Sequence, residues 1–304
     1  MHPSINDRLA GTFESYSIDS QLHDVPPHAV YRVTVDGQAA VYKGDIGPTG
    51  SAGMEGQVMA FVASRTSLPV PTVLHLSDDW FVTAWDEAAP TPGGSIDGIE
   101  TWAHVAGRAM ATLHRESEQH IDRFGRFTTN GDGLTVEGDS SWHRSAIAYL
   151  ERRRPVLDRY GHAEMADVAI EALQSRPDAF EGSGSPVCCH GWFTPEHVAV
   201  EDDAVTCVVD FEHAMAAPAA YDIWRMAIPT FGPDRETLDT FLAAYREVRP
   251  LPSDIEARRP YFSVLILVYY FESLYVQEQF DQEETEAKAS ELRDALQTRL
   301  DELP

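Results

Sequence analysis

Residues 190–212 place the tightest constraint on the fold. They read His-Gly-Trp-Phe-Thr-Pro-Glu-His, then an apolar run from Val198 to Val200, a polar turn over Glu201, Asp202, Asp203 and Ala204, and a β-branched run from Val205 to Val209. Two strand-like runs about a polar turn form a hairpin, and a hairpin brings its open ends together. His197 and Asp210 sit at those ends and face one small volume. From the hairpin alone, Asp210 reads most simply as a turn former at a strand end and His197 as a surface residue.

The rest of the chain sets the surroundings. Its 304 residues suffice for one large domain or two lobes with a sizeable core. There are 49 acidic and 23 basic residues, a formal net charge of -26, and the only lysines are Lys43 and Lys288. An acidic, arginine-for-lysine surface with charge spread along the chain suits a cytosol of molar salt, where carboxylates hold water and salt screens their repulsion. The same charge argues against a nucleic-acid partner. Cys188, Cys189 and Cys207 lie on or beside predicted strands and read as small buried hydrophobes in a reducing compartment. No signal-peptide pattern is present, and the longest apolar run, Val264 to Phe271, is too short to span a bilayer. These features lead to the expectation of a cytoplasmic protein without membrane contact.

Along the chain, residues 1–85 are strand-rich. Val30 to Val35 alternates, Asp36-Gly37 marks a turn, and Ala39 to Lys43 returns. After a loop from Gly44 to Gly53, helical spacing of Met54, Val58, Phe61 and Val62 predicts a helix to Arg65, followed by short strands near 72–76 and 80–85. Residues 86–94 read as a hinge, and 95–304 as a mostly helical lobe. Within that lobe, 99–115, 143–160, 162–175, 219–228, 235–247, 254–280 and 283–301 are expected helices, while Gly125 to Ser140 reads as loop.

A small strand-rich lobe, a hinge and a larger helical lobe bearing a short hairpin resembles the aminoglycoside phosphotransferase family, within the protein-kinase-like fold. The resemblance covers about residues 28–275 and is sharpest from His190 to Asp222. It implies an α+β, two-lobed fold, with Lys43 on the nucleotide α- and β-phosphates and Glu55 orienting it through an ion pair. It further implies that His190 braces the catalytic loop, that Asp210 is the main metal ligand with Glu212 a second acid, and that Asp222 ties the loop to a helix start. Lys43 carries unusual weight, since one of only two lysines stands where the nucleotide lysine belongs.

The chain also departs from the family pattern of His-x-Asp, four residues, then Asn. Trp192 occupies the place of the catalytic base, and indole offers only an N–H donor. His197 occupies the place of the asparagine and offers nitrogen, which Mn²⁺ accepts more readily than Mg²⁺. Asp24-Val25-Pro26-Pro27-His28 replaces a glycine-rich turn, and proline removes N–H donors.

The resemblance therefore implies an ATP-dependent kinase of a small-molecule hydroxyl with Mg²⁺ or Mn²⁺, its catalytic loop altered. The alternative is a pseudokinase that binds a nucleotide or metabolite without transfer. The partners are thus a nucleotide and an acceptor that the sequence does not specify, and the sequence fixes no oligomeric state. The acid-rich helical lobe suits a cationic acceptor in a loose electrostatic sense. A metal site from Cys189, His190, His197, Cys207 and His213 fits no usual zinc spacing.

Overall fold

A computed structural model describes residues 4–47, 50–90, 98–130 and 133–304. The expected hinge is a turn over 86–90; its residues 91–94 lie outside the described residues, as do Pro48, Thr49, Gly131 and Asp132.

The chain begins with α1 (Ile5–Ala10), then β1 (Tyr16–Val25), β2 (His28–Val35), β3 (Gln38–Asp45), α2 (Ala52–Arg65), β4 (Val73–Leu76) and β5 (Trp80–Ala84). The five strands form one antiparallel sheet in the order β1-β2-β3-β5-β4. Strand alternation decides what each face does. Ala40, Tyr42, Trp80 and Val82 pack with Leu9 of α1 on one side. Lys43 and Phe81 are register partners and turn to the other side, toward α2. A one-residue slip of β3 would carry Lys43 out of the site. The sequence reading passed over α1 and β1. Most positions of β1 are polar, and register shifts at Ile18/Ser20 and Gln21/His23 break its period of two.

The second region comprises α3 (Ile99–Ser117), β6 (Phe124–Asn130), β7 (Gly133–Asp139), α4 (Trp142–Arg159), α5 (Ala163–Gln174), β8 (Pro186–Cys189), β9 (Val198–Glu201), β10 (Ala204–Val208), β11 (Met215–Pro218), α6 (Ala219–Phe231), α7 (Arg235–Val248), α8 (Arg259–Val276) and α9 (Gln282–Asp301). The expected loop from Gly125 to Ser140 is instead the β6–β7 hairpin, part of a four-stranded sheet in the order β7-β6-β11-β8. Its glycines and turn signals mask a paired strand whose Phe124 and Phe127 are buried. Helix α8 starts at Arg259, later than expected, because Pro260 fits only a first turn. Hairpin β9–β10 forms as read, and all three cysteines are buried. The main core joins α2, the helices and the inner strands, so both lobes share one packed interior beneath the cleft.

Helices α3 and α7 approach closely because position 107 is glycine: a Cβ there would lie 2.5 Å from the Phe241 carbonyl oxygen. Gly→Ala in a helix interior ordinarily gains about 1 kcal/mol. Gly107→Ala is expected to reverse that sign and cost roughly 1–3 kcal/mol, read as a lower denaturant midpoint at unchanged m-value. A more stable variant would show that the contact is not tight.

Candidate active site

The site is built around one ammonium group. Lys43 Nζ lies 2.7 Å from Glu55 Oε2 on α2, 3.0 Å from Asp210 Oδ1 and 3.3 Å from Glu212 Oε2, both just past β10. Glu55 lies off the donor direction of the ammonium and makes an ion pair without an aligned hydrogen bond. Burial would lower the lysine, but the three carboxylates raise it well above its ordinary value, so it stays charged. Glu55 is the most enclosed of the acids, 2% exposed at its side chain. Desolvation pushes it up to about 8, aided by Asp210 and Glu212 and opposed by Lys43. Desolvation is the largest effect on Asp210 and Glu212 and acts upward, yet both end below their ordinary values: Lys43, His197 and His213 together outweigh it at Asp210, and the hydrogen bond from His213 together with the charges of Lys43, His213 and His28 does so at Glu212. Asp210 holds φ at 67°, a conformation Asp tolerates better than most residues.

Histidines ring these acids. His197 Nε2 lies 3.3 Å from Asp210 Oδ2, and its Nδ1 lies 3.1 Å from the Trp192 carbonyl oxygen. His28 lies 3.0 Å from Asp45 Oδ1 through Nδ1 and 3.3 Å from Glu212 Oε2 through Nε2. Each of these rings faces oxygen acceptors with both nitrogens. His213 Nε2 lies 3.1 Å from Glu212 Oε1 and 2.9 Å from the Tyr269 hydroxyl. Burial lowers His213 below its usual value against the upward pull of Glu212.

Beneath the acids, the loop 190–197 is fixed by Asp222 in the first turn of α6. Its carboxylate accepts the N–H groups of His190 at 2.9 Å and Gly191 at 2.8 Å, and contacts His114 Nε2 at 3.1 Å. Burial alone would raise the Asp222 carboxyl; the His114 contact and the loop N–H groups hold it below its ordinary value. Gly191 has φ of 82°, and a Cβ there would overlap the His213 carbonyl. His190 Nε2 sits 3.0 Å from the Val209 carbonyl, while Nδ1 accepts the Trp192 N–H at 3.2 Å. Trp192 is pinned as well: its indole N–H donates to Glu196 Oε1 at 2.7 Å, and its ring meets Tyr270 edge-on. Glu196 is thereby committed to the indole.

Residues 25–261 match the phosphotransferase enzyme family. The chain belongs to that family. Solved structures show the same protein-kinase-like fold. A protein assigned as a fructosamine-3-kinase from Thermobifida fusca is 18% identical, covers 99% of this chain and 98% of its own, and has a TM-score of 0.67. A thermostable mutant of aminoglycoside phosphotransferase APH(4)-Ia, in ternary complex with ADP and hygromycin B, is 15% identical over 99% of both chains with a TM-score of 0.68. Macrolide 2'-phosphotransferase MphH from Brachybacterium faecium is 18% identical over 97% and 95%, with a TM-score of 0.59. No curated protein matches in sequence. No helix among the described residues is long and apolar enough to cross a membrane.

The structure brings Lys43, Glu55, Asp210, Glu212 and His197 together, sets His190 and Trp192 in the loop beneath, and places Asp222 on α6 where it holds that loop. The five residues of the cysteine–histidine reading do not converge on one point. Among the described residues, the groups able to hold a metal are Glu55, Asp210 and Glu212, and a fully buried set of His114, Cys189 and Asp222 whose acid is already engaged. Sequence reasoning missed the part played by His28, His114 and His213. The only local signal was that His213 directly follows Glu212.

Burial lowers His190 to about 4. With Nε2–H donated and Nδ1 accepting, a second proton would set N–H against N–H. A folded-state value below the unfolded one stabilises fully above about 6.5, and that stability is lost as pH falls through about 4. The wild type should therefore lose roughly 3 kcal/mol more than His190→Gln between pH 6.5 and 4, measured by chemical denaturation. Equal losses would remove His190 as the source.

Proposed function

We propose that the protein is an ATP-dependent phosphotransferase acting on a small-molecule hydroxyl. The observation that carries this reading is the 3.0 Å contact of Lys43 with Asp210, with Glu55 set behind the lysine. A cation for nucleotide phosphates and an oxygen ligand for a divalent metal share one point between the lobes, as phosphoryl transfer by positioning and electrostatics requires. Phosphates entering there replace the direct Lys43–Asp210 contact.

The donor set fits a metal. Asp210 and Glu212 offer oxygen and His197 offers nitrogen, a mixture that Mn²⁺ accepts at least as well as Mg²⁺. One ammonium among three acids leaves an excess of negative charge, and His197 Nε2 lies 3.3 Å from Asp210 Oδ2. When bound, the ion would neutralise phosphate charge.

In the transfer, the acceptor oxygen bonds to the γ-phosphorus while the bond from that phosphorus to the bridging oxygen breaks, and ADP leaves with the electron pair. Trp192 cannot take the hydroxyl proton. Glu212 Oε1 already meets His213 Nε2 and the carboxylate is held below its ordinary value, so the proton passes to solvent. A general base contributes roughly 10²- to 10⁴-fold, and positioning supplies much of the rest.

The same Trp192 favours a second reading, a pseudokinase that binds a nucleotide or metabolite without transfer. The boundaries 1–85, 86–94 and 95–304 and a high-salt cytosol belong to the proposal and rest on the sequence.

The test is a thermal-shift series in concentrated KCl with ATP or GTP and Mg²⁺ or Mn²⁺, followed by an ADP-release screen. Metal-dependent stabilisation by nucleotide, lost in Lys43→Ala and Asp210→Asn, is the expected result. No stabilisation by any pair sinks the nucleotide reading. Stabilisation without ADP release, together with activity created by Trp192→Asp alone, identifies the pseudokinase.

A further inference from the structure

Below Glu212 lies a cavity of about 190 Å³ whose wall is cationic, in a chain of net charge -26. Arg126 comes from β6, Arg152 and Arg153 from α4, and Arg225 from α6. Two of the four have carboxylate partners: Arg126 with Glu137 at 2.6 Å and Arg153 with Glu272 at 3.0 Å. Among the described residues, Arg152 and Arg225 make no ion pair.

Arg225 is the more telling of the two, because it is 1% exposed. Its Nε donates to the Gly191 carbonyl, one Nη donates to the Tyr221 hydroxyl at 3.2 Å, and its plane lies 3.7 Å from the Tyr269 ring centroid. These neutral partners orient the guanidinium; Glu272 feels its charge but is held by Arg153 at 3.0 Å, so among the described residues Arg225 has no carboxylate within ion-pair distance of its own. Glu212, the carboxylate on the cavity wall, is already shared by Lys43, His28 and His213. The position where the family pattern has an aspartate is Trp192, whose ring centroid lies 5.7 Å from the Arg225 guanidinium carbon.

We propose that this cavity is the acceptor subsite and that the acceptor is a small hydroxylated anion, a hydroxy acid or a polyol phosphate, whose negative group pairs with Arg225 and Arg152. The inference rests on the phosphotransferase reading and names the substrate class of the same site. The volume lies below the roughly 300–1,000 Å³ of drug-sized pockets and suits a compound of a few carbons. Glu212 links the two halves: Oε2 meets Lys43 at 3.3 Å, and the same side chain forms the cavity wall. An acceptor anchored by its anion at Arg225 presents its hydroxyl beside Glu212. That oxygen bonds to the γ-phosphorus, its proton passes to solvent, and ADP departs with the broken bond's electrons. The loose expectation of a cationic acceptor is reversed, because the acidity of the helical lobe belongs to its surface and not to this cavity.

The experiment measures thermal shift and ADP release in concentrated KCl with ATP and Mn²⁺. The probes are glycerate, gluconate and glycerol 3-phosphate against neutral glycerol and cationic choline. Carboxylates and phosphate esters are separate arms and identify the anionic group. At least one anion should stabilise the protein and release ADP where glycerol and choline do not. Arg152→Glu, at the exposed rim, should weaken that anion by about tenfold or more and leave the nucleotide shift in place. Arg159→Glu, the same charge change on α4 away from the cavity, should leave both unchanged. A nucleotide shift with response to choline or glycerol alone, or to none of the probes, overturns this inference and leaves the nucleotide reading standing. Anion stabilisation without any nucleotide shift overturns the acceptor role. Equal weakening by Arg152→Glu and Arg159→Glu would trace the effect to overall charge and reject the subsite.

Discussion

The ammonium of Lys43 and the three carboxylates around it hold the site together. The lysine comes from a strand of the first sheet, Glu55 from the helix beside it, and Asp210 and Glu212 from beyond a hairpin about 170 residues later. One positive charge, 10% exposed at its side chain, therefore joins the two lobes at the floor of the cleft. Removing it would leave buried acids facing one another without a cation, a change that ordinarily costs several kcal/mol. The contact is also the place where phosphate and metal charge would enter, so the bond that closes the cleft lies on the path of the proposed chemistry.

Everything below that charge serves to fix the loop 190–197. Asp222 spends its carboxylate on two loop N–H groups and His114, Arg225 holds the Gly191 carbonyl, and His190 holds the chain before Asp210. Trp192 sits within that loop, its backbone N–H on His190 and its indole N–H on Glu196. Arg225 lines the cavity beside it.

Much of this was legible in sequence because the signals are short. Alternation in β3 places Lys43, the polar turn between β9 and β10 brings His197 to Asp210, and helical periodicity gives most of the large helices. The failures have equally local causes. The strand β1 hides behind polar residues and register shifts, and the β6–β7 hairpin hides behind glycines that resemble a loop. The beginning of α8 was misplaced because the turn over 254–257 reads as helix in composition.

The sequence by itself pointed to the family through the motifs of residues 190–222, and through that resemblance to Lys43 and the acids, because those motifs are short and lie in unbroken segments. Only tertiary structure decided that His28 and His213 flank Glu212 and that arginines from β6, α4 and α6 converge on one cavity. His28 and the cavity arginines lie tens to nearly two hundred positions from Glu212, and no periodic signal spans such distances. Packing of the shared core brings them together, and it leaves a cationic interior inside a strongly acidic chain.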